Sequence, residues 1–191
     1  MGAVRRLLRR ASGAYVGFLV LSAATVHAQT ASSTTPEAFA KRYVATLSAG
    51  DFAANAALMH PTALAAIRRF VVGVSKEDSS GATLQQIVGV HSAAALDSLS
   101  DAQVYARFLS AVLSAEPGAL EAMKSAKVDI IGHVDEAPDL THVVYRMTMN
   151  IQGIEMRKVD VLTLKRDGTV WRATLTTDIE NLISRLSAPS T

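Results

Sequence analysis

The chain contains no cysteine. That excludes disulfides, thiolate metal sites, a cysteine nucleophile and a lipid anchor on a cysteine at the cleavage point. Aromatic residues make up only 5% of the sequence, and no basic stripe interleaves them, so the stacking surface of a nucleic-acid binder is missing. Charge of one sign is also scarce, with 19 Lys+Arg against 17 Asp+Glu. Common catalytic signatures are lacking as well: there is no G-x-S-x-G, H-E-x-x-H, Walker loop, G-x-G-x-x-G or Asp-rich calcium loop.

The first feature present is an address. Arg5, Arg6, Arg9 and Arg10 form a basic start, Ala14–Ala24 is apolar, and Val26-His27-Ala28 supplies an A-x-A-like end. This is the pattern of a secretory signal peptide over residues 1–28, with cleavage near Ala28-Gln29. The apolar centre is shorter than the roughly 18–20 residues of a membrane span; the competing reading is an uncleaved N-terminal anchor. Taking the four leader arginines from the 19 basic residues leaves 15 against 17 acidic ones, a balance of −2. The processed chain is therefore expected to be periplasmic or secreted, with no stable membrane span and no nucleic-acid partner. It must be held together by its core alone, and its length suffices for one domain.

Residues 29–35 are polar and read as a disordered lead-in, and 36–187 as a single α+β domain. Thr34 or Thr35 caps a helix that opens on Pro36 and shows an apolar face of Phe39, Tyr43, Val44 and Leu47. Asp51 caps a short helix through Met59, which His60-Pro61 ends. Thr62–Val74 is helical, with Arg68-Arg69 on its solvated side; Ser75–Ala82 is a loop; Thr83–Val90 is a short helix followed by a small-residue linker. Ser100 caps Asp101–Ala115, whose stripe is Val104, Phe108, Ala111 and Val112.

From Lys127 onward the period changes to two. Thr141–Ile151 carries Val143, Tyr145, Met147, Met149 and Ile151 in strict alternation, the mark of a half-buried strand. Val128–Val134, Thr141–Ile151, Ile154–Lys165 and Val170–Thr177 form an antiparallel four-stranded meander, with Asp167-Gly168 as a hairpin signal. The expected register sets His133 opposite His142, Ile131 opposite Val144 and Asp129 opposite Arg146. Arg157-Lys158 breaks the alternation, which suggests a bulge and brings Asp160 opposite Arg146 as well. Both sheet faces then carry apolar residues: Val128, Ile130, Tyr145 and Met147 on one, Ile131, Val144 and Leu162 on the other. Helices cover one face; the other calls for a second copy, hence a homodimer.

Phe39-Ala40-Lys41-Arg42-Tyr43-Val44, Leu47-Ser48-Ala49-Gly50-Asp51-Phe52 and Ala57-Leu58-Met59-His60-Pro61, together with the late hairpin and Trp171-Arg172, resemble nuclear transport factor 2-like (cystatin-like) domains. The resemblance implies an α+β cone, a curled sheet wrapping helices around a pocket, often dimeric through the outer sheet face. It implies no particular reaction, since such domains include isomerases, cyclases, transport factors and non-catalytic exported domains. Those domains usually carry a strand pair between the second and third helices, where Thr62–Leu99 reads here as helical.

Single residues are the remaining candidates for chemistry. Asp129, Tyr145 and His60 are the possible acid/base groups of an isomerase- or cyclase-type enzyme. The favoured reading of His60, against that one, is a helix-C-terminal histidine stabilised by the macrodipole. His133 and His142, if opposed, could share a metal ion, but no third ligand accompanies them; the reading assigns no metal and no cofactor. Asp129, Arg146 and Asp160 in one row read as an ion-pair network. Tyr43, Tyr145, Arg146 and Met147 are the candidates for a ligand pocket. The expectation is an exported, non-catalytic domain that binds a small apolar ligand or a protein partner, with the enzyme as the alternative.

Overall fold

The computed structural model describes residues 34–115, 118–151 and 153–186. The expected signal peptide, most of the expected lead-in and the residues after Leu186 lie outside them. Among the described residues no helix is long and apolar enough to cross a membrane.

Helix α1 (Pro36–Ser48) starts as its sequence dictates, with Thr35 Oγ1 accepting from Ala38 N and Pro36 at the first helical position. Gly50, at φ 69°, makes the left-handed turn out of it. Asp51 then caps α2 (Phe52–Ala56) through Ala54 N at 2.9 Å. This helix stops short of the expected Met59, because Leu58–His60 are recruited elsewhere. His60 is the N-cap of α3 (Pro61–Glu77), not the C-terminus of α2. Residues 62–99 carry α3, α4 (Ala82–Val88) and α5 (Ala93–Asp97), with no strand pair. α5 replaces the expected linker and has its own cap in Ser92.

Ser100 and Gln103 form a reciprocal capping pair at the start of α6 (Asp101–Ala115). α6 packs against α2, α3 and α4 and buries Val104, Tyr105, Phe108 and Leu109. Phe108 meets Phe70 edge-on at 5.7 Å. Arg68 does not lie on a solvated face. It donates to Leu99 O at 2.7 Å and reaches Asp101 at 3.5 Å, tying α3 to the α5–α6 link.

Helix α7 (Ala119–Lys124) leads into the meander β1 (Lys127–Ala137), β2 (Leu140–Ile151), β3 (Ile154–Asp167) and β4 (Val170–Ala173). The strands pair antiparallel in chain order, and α8 (Thr177–Leu186) follows. The α+β expectation, helices first and then an antiparallel four-stranded sheet, is what the structure shows. One core joins both halves: Val143, Tyr145, Leu162, Leu164, Trp171 and Ala173 of the sheet pack with Phe39, Tyr43, Ile67, Val71, Leu84 and Phe108 of the helices.

The register corrects the expectation in three places. A bulge at Ile131 separates Ile130↔Tyr145 from Gly132↔Val144, and a second shift lies between Asp135 and Ala137. Asp129 therefore opposes Arg146 as expected, but His133 opposes Val143 and Val134 opposes His142. The expected bulge at Arg157-Lys158 is absent: β2 and β3 pair without a shift from Leu140↔Lys165 to Ile151↔Ile154. Asp160 consequently lies opposite Tyr145, and Leu162 belongs to the buried face.

The sheet's last edge is partly closed by the α2–α3 link. Met59 bridges Ala173 in parallel, Ala173 N donates to Leu58 O at 2.9 Å, and His60 N donates to Ala173 O at 2.7 Å. This pairing uses the backbone groups that a short edge strand would leave open.

Candidate functional site

The residues expected to line a pocket divide between the two faces of the sheet. Tyr43 and Tyr145 are in the core, 5% and 4% exposed. Tyr145 stands on the helix-facing side of β2, between Ile130 and Asp160. Met147 is half-buried on that same side and packs against the core. Arg146 points the other way, to the outer face, where its guanidinium meets Asp129 at 3.2 Å with both side chains exposed. Asp160 pairs instead with Lys158 at 3.0 Å. The expected Asp129–Arg146–Asp160 row is thus a pair, because without a bulge in β3 the third member sits on the opposite face.

The three candidate acid/base groups do not converge. Asp129 is on the exposed outer face, Tyr145 is buried on the inner one, and His60 caps a helix at the β4 edge. The His60 ring is committed to capping: Nδ1 accepts from Thr62 N at 3.2 Å and lies 2.7 Å from Thr62 Oγ1. His133 and His142 are likewise parted by the bulge. His133 Nδ1 pairs with Glu37 of α1, while His142 meets Glu136 at 2.6 Å and Thr163 at 3.0 Å. Among the described residues no group of three or more histidine and acidic side chains is placed to hold a metal ion.

Inside the core, sequence reading missed a polar chain. Tyr105 donates to Asn55 Oδ1 at 2.9 Å; Asn55 Nδ2 donates to Tyr43 O at 3.2 Å and Thr46 Oγ1 at 2.9 Å. Asn55 is fully buried, so its amide is satisfied at both ends rather than aimed at a ligand. The hydroxyls of Tyr43 and Tyr105 lie close enough to influence each other's ionisation. Burial pushes the Tyr43 hydroxyl up to about 12, with the negative charge of Asp160 adding to it, and raises Tyr105 well above its ordinary range. Both phenols are neutral and buried in the core, and the chain from Tyr105 through Asn55 to the Tyr43 carbonyl and Thr46 joins α6, α2 and α1. Asn55 sits among alanines in Phe52–Ala56, and no sequence signal separates it from a surface asparagine.

Two exposed regions remain. A groove of about 540 Å³ runs between α2, α4 and α6, lined by Phe52, Gln85, Arg107, Ser110 and Ser114 among others. Arg107 is already held across it, donating to Val88 O at 3.3 Å. The outer face of the sheet is the second region. Val134 is 62% exposed, Val159 57% and Val161 44%, with half-buried Val144 between strands and Ile131 standing out at the bulge at 52%. Val144 is opposite Val161 on one side and Gly132 on the other. The apolar row therefore crosses three strands; the Asp129–Arg146 pair borders it, with Arg146 directly opposite Val159, and Glu136–His142 borders it beside Val134. None of the clefts at the α2–α4–α6 groove, at Trp171, or beside Val44 and Val128 is lined by Tyr43, Tyr145, Arg146 or Met147.

No family model matches this chain, and no curated protein or solved structure does either.

Proposed function

We propose that this chain is an exported, non-catalytic docking domain of nuclear transport factor 2-like plan, and that it binds a protein partner on the outer face of its sheet. The observation that carries the reading is the row of exposed branched side chains, Val134, Val159 and Val161 around Val144. Contiguous exposed apolar surface with a polar margin is the physical signature of a protein contact. The leader pattern of residues 1–28 supports export. The commitment of Tyr43 and Tyr145 to the core favours a partner on the surface over a small ligand inside. Asp129, Tyr145 and His60 face three different environments, which removes the motive for an acid/base mechanism among them.

The test is a photo-reactive side chain placed at Val134 in the exporting cell, with Gln86 on the opposite, helical side as control. A discrete adduct at Val134 and none at Gln86 is the expected result. An adduct at Gln86 alone moves the docking site to the α2–α4–α6 groove, and no adduct at Val134 overturns the proposal.

A further inference from the structure

β3 is 14 residues long, yet β4 pairs only with Leu164–Asp167. Among the described residues, no strand covers the far edge of Ile154–Leu162, which runs past β4. Two hydrogen bonds fix which backbone groups face that edge. Thr174 N donates to Thr163 O at 3.0 Å, and Val161 N donates to the Asp160 side chain at 2.9 Å. Both backbone groups therefore point away from β2. In an antiparallel ladder this alternates with period two, so the amides and carbonyls of Glu155, Arg157 and Val159 turn the same way. Among the described residues, none of these three amides has an acceptor on that side.

Proteins protect such an edge with prolines, bulges or charges that repel a second strand. β3 has neither proline nor bulge here. Its charges alternate in sign, with Lys158 and Asp160 two residues apart on one face and paired at 3.0 Å. Its other side chains include Met156, Val159 and Val161, all exposed.

We propose that this edge pairs with β3 of a second copy of the chain, antiparallel, with Val159 opposite Val159. That register sets Lys158 opposite Asp160 of the partner subunit, and Asp160 opposite Lys158 of the partner subunit, on one face of the joined sheet. Opposite charges directly across a strand pair stabilise it and like charges destabilise it. Centring the pair on Arg157 or on Lys158 would put that cation against its own copy. Centring it on Met156 would pair Glu155 with Arg157 but engage only the hairpin tip. The Val159 register also gives Arg157 and Val159 their missing backbone partners, while Thr163 O, which would face Glu155, already accepts from Thr174 N. The contact uses the edge and leaves Val134 and Val144 open, so it stands or falls separately from docking on the outer face.

Sedimentation velocity on the processed full-length chain, with Lys158→Asp and Asp160→Lys made separately, tests the register. The wild type is expected to dimerise across the micromolar range. Each variant places like charges opposite each other twice and should dimerise about tenfold more weakly or worse. An equimolar mixture of the two restores opposite charges at both contacts and should recover the dimer as a heterodimer. A wild type that stays monomeric, variants that dimerise as well as the wild type, or a mixture that fails to recover while both variants melt like the wild type would each overturn it. If Asp160→Lys does not fold, Val159→Pro replaces it. That change removes an amide that faces away from β2, so a folded monomer is expected, and a folded dimer would overturn the proposal.

Discussion

The two faces of the sheet carry nearly the same kinds of residue and differ in exposure. Val143, Tyr145, Leu162 and Leu164 on one side are buried, and Val134, Val159 and Val161 on the other are open to solvent. Composition does not distinguish them; what does is the helical layer, which covers one face and leaves the other bare. Leu162 and Val161 are adjacent in sequence and face opposite sides, one fully buried and one 44% exposed. Apolar residues on the covered face report stability. Those on the bare face have no folding role to explain them, which makes them evidence for binding.

The sharpest way to break that comparison is to truncate both neighbours. Leu162→Ala removes a fully buried side chain and is expected to cost about 2–5 kcal/mol in denaturant unfolding. Val161→Ala should change stability by roughly 0.5 kcal/mol or less, while weakening the adduct formed at Val134. Equal losses at the two positions would mean that the outer face is covered within a single chain, and the docking proposal would lose its basis.

The interior polar chain gives a second contrast, read by alkaline titration. With the Tyr43 hydroxyl raised to about 12, the folded state prefers the neutral phenol. Below pH 10 both folded and unfolded states are neutral and the full stability is present. As pH rises from 10 toward 12 the unfolded chain ionises first, and stability falls by roughly 3 kcal/mol for Tyr43 alone. Tyrosinate absorbance should therefore show the core phenols ionising together with loss of far-UV dichroism. Smooth ionisation of every tyrosine near pH 10 with the fold intact would show that Tyr43 and Tyr105 are reachable by water.

Much of this architecture was legible in the sequence because turns and caps are local chemistry. Thr35-Pro36, Asp51 and Ser100 mark helix starts, and period-two alternation marks β2. Bulges were not legible, for a definite reason. Arg157-Lys158 looks like an error in alternation, but both faces of the sheet are exposed there, so polar side chains need no bulge to reach water. At Ile130-Ile131 the two isoleucines are alike, and only the structure tells which one is half-buried against the core and which stands at the bulge at 52% exposure. A one-residue error there parts His133 from His142 and dissolves an imagined metal pair. The same kind of error in β3 removes Asp160 from an imagined carboxylate row. Asn55 and Arg68 escaped because a buried polar residue and a helix staple depend on partners far along the chain, at Tyr105 and Leu99.

Polar residues extend the contrast to smaller effects. Asn55→Ala leaves the buried Tyr105 hydroxyl without its acceptor and should cost about 1–3 kcal/mol. Arg146→Ala breaks an exposed pair with Asp129 and should cost at most about 1 kcal/mol, less at high salt. Urea unfolding at low and high ionic strength separates them: the Asn55 effect should not respond to salt. An Arg146 effect as large as that of Asn55 would place the Asp129–Arg146 pair in a desolvated setting, which its exposure contradicts.

The smallest effect concerns Asp78, which ends α3 and serves α4. Its carboxylate accepts from Leu84 N at 2.9 Å and from the Ser80 hydroxyl at 2.9 Å. The backbone hydrogen bond from Leu84 is the main cause holding this carboxyl below its ordinary value of 3.8. A lowered carboxyl stabilises the fold above its unfolded value and loses that contribution as pH falls through the folded one. Asp78→Asn removes the titrating group, so the variant's thermal midpoint should fall less steeply than the wild type's on acidification below pH 4. The α3–α4 turn is also the place where a glycine is required: at Gly81, φ is 73° and an added Cβ would lie 2.2 Å from His91 O. If acidification loosens this turn, amides of α4 should gain hydrogen exchange before those of β2. Simultaneous exchange in α4 and β2 would mean that the turn opens only with the whole domain, and that Asp78 contributes nothing separable.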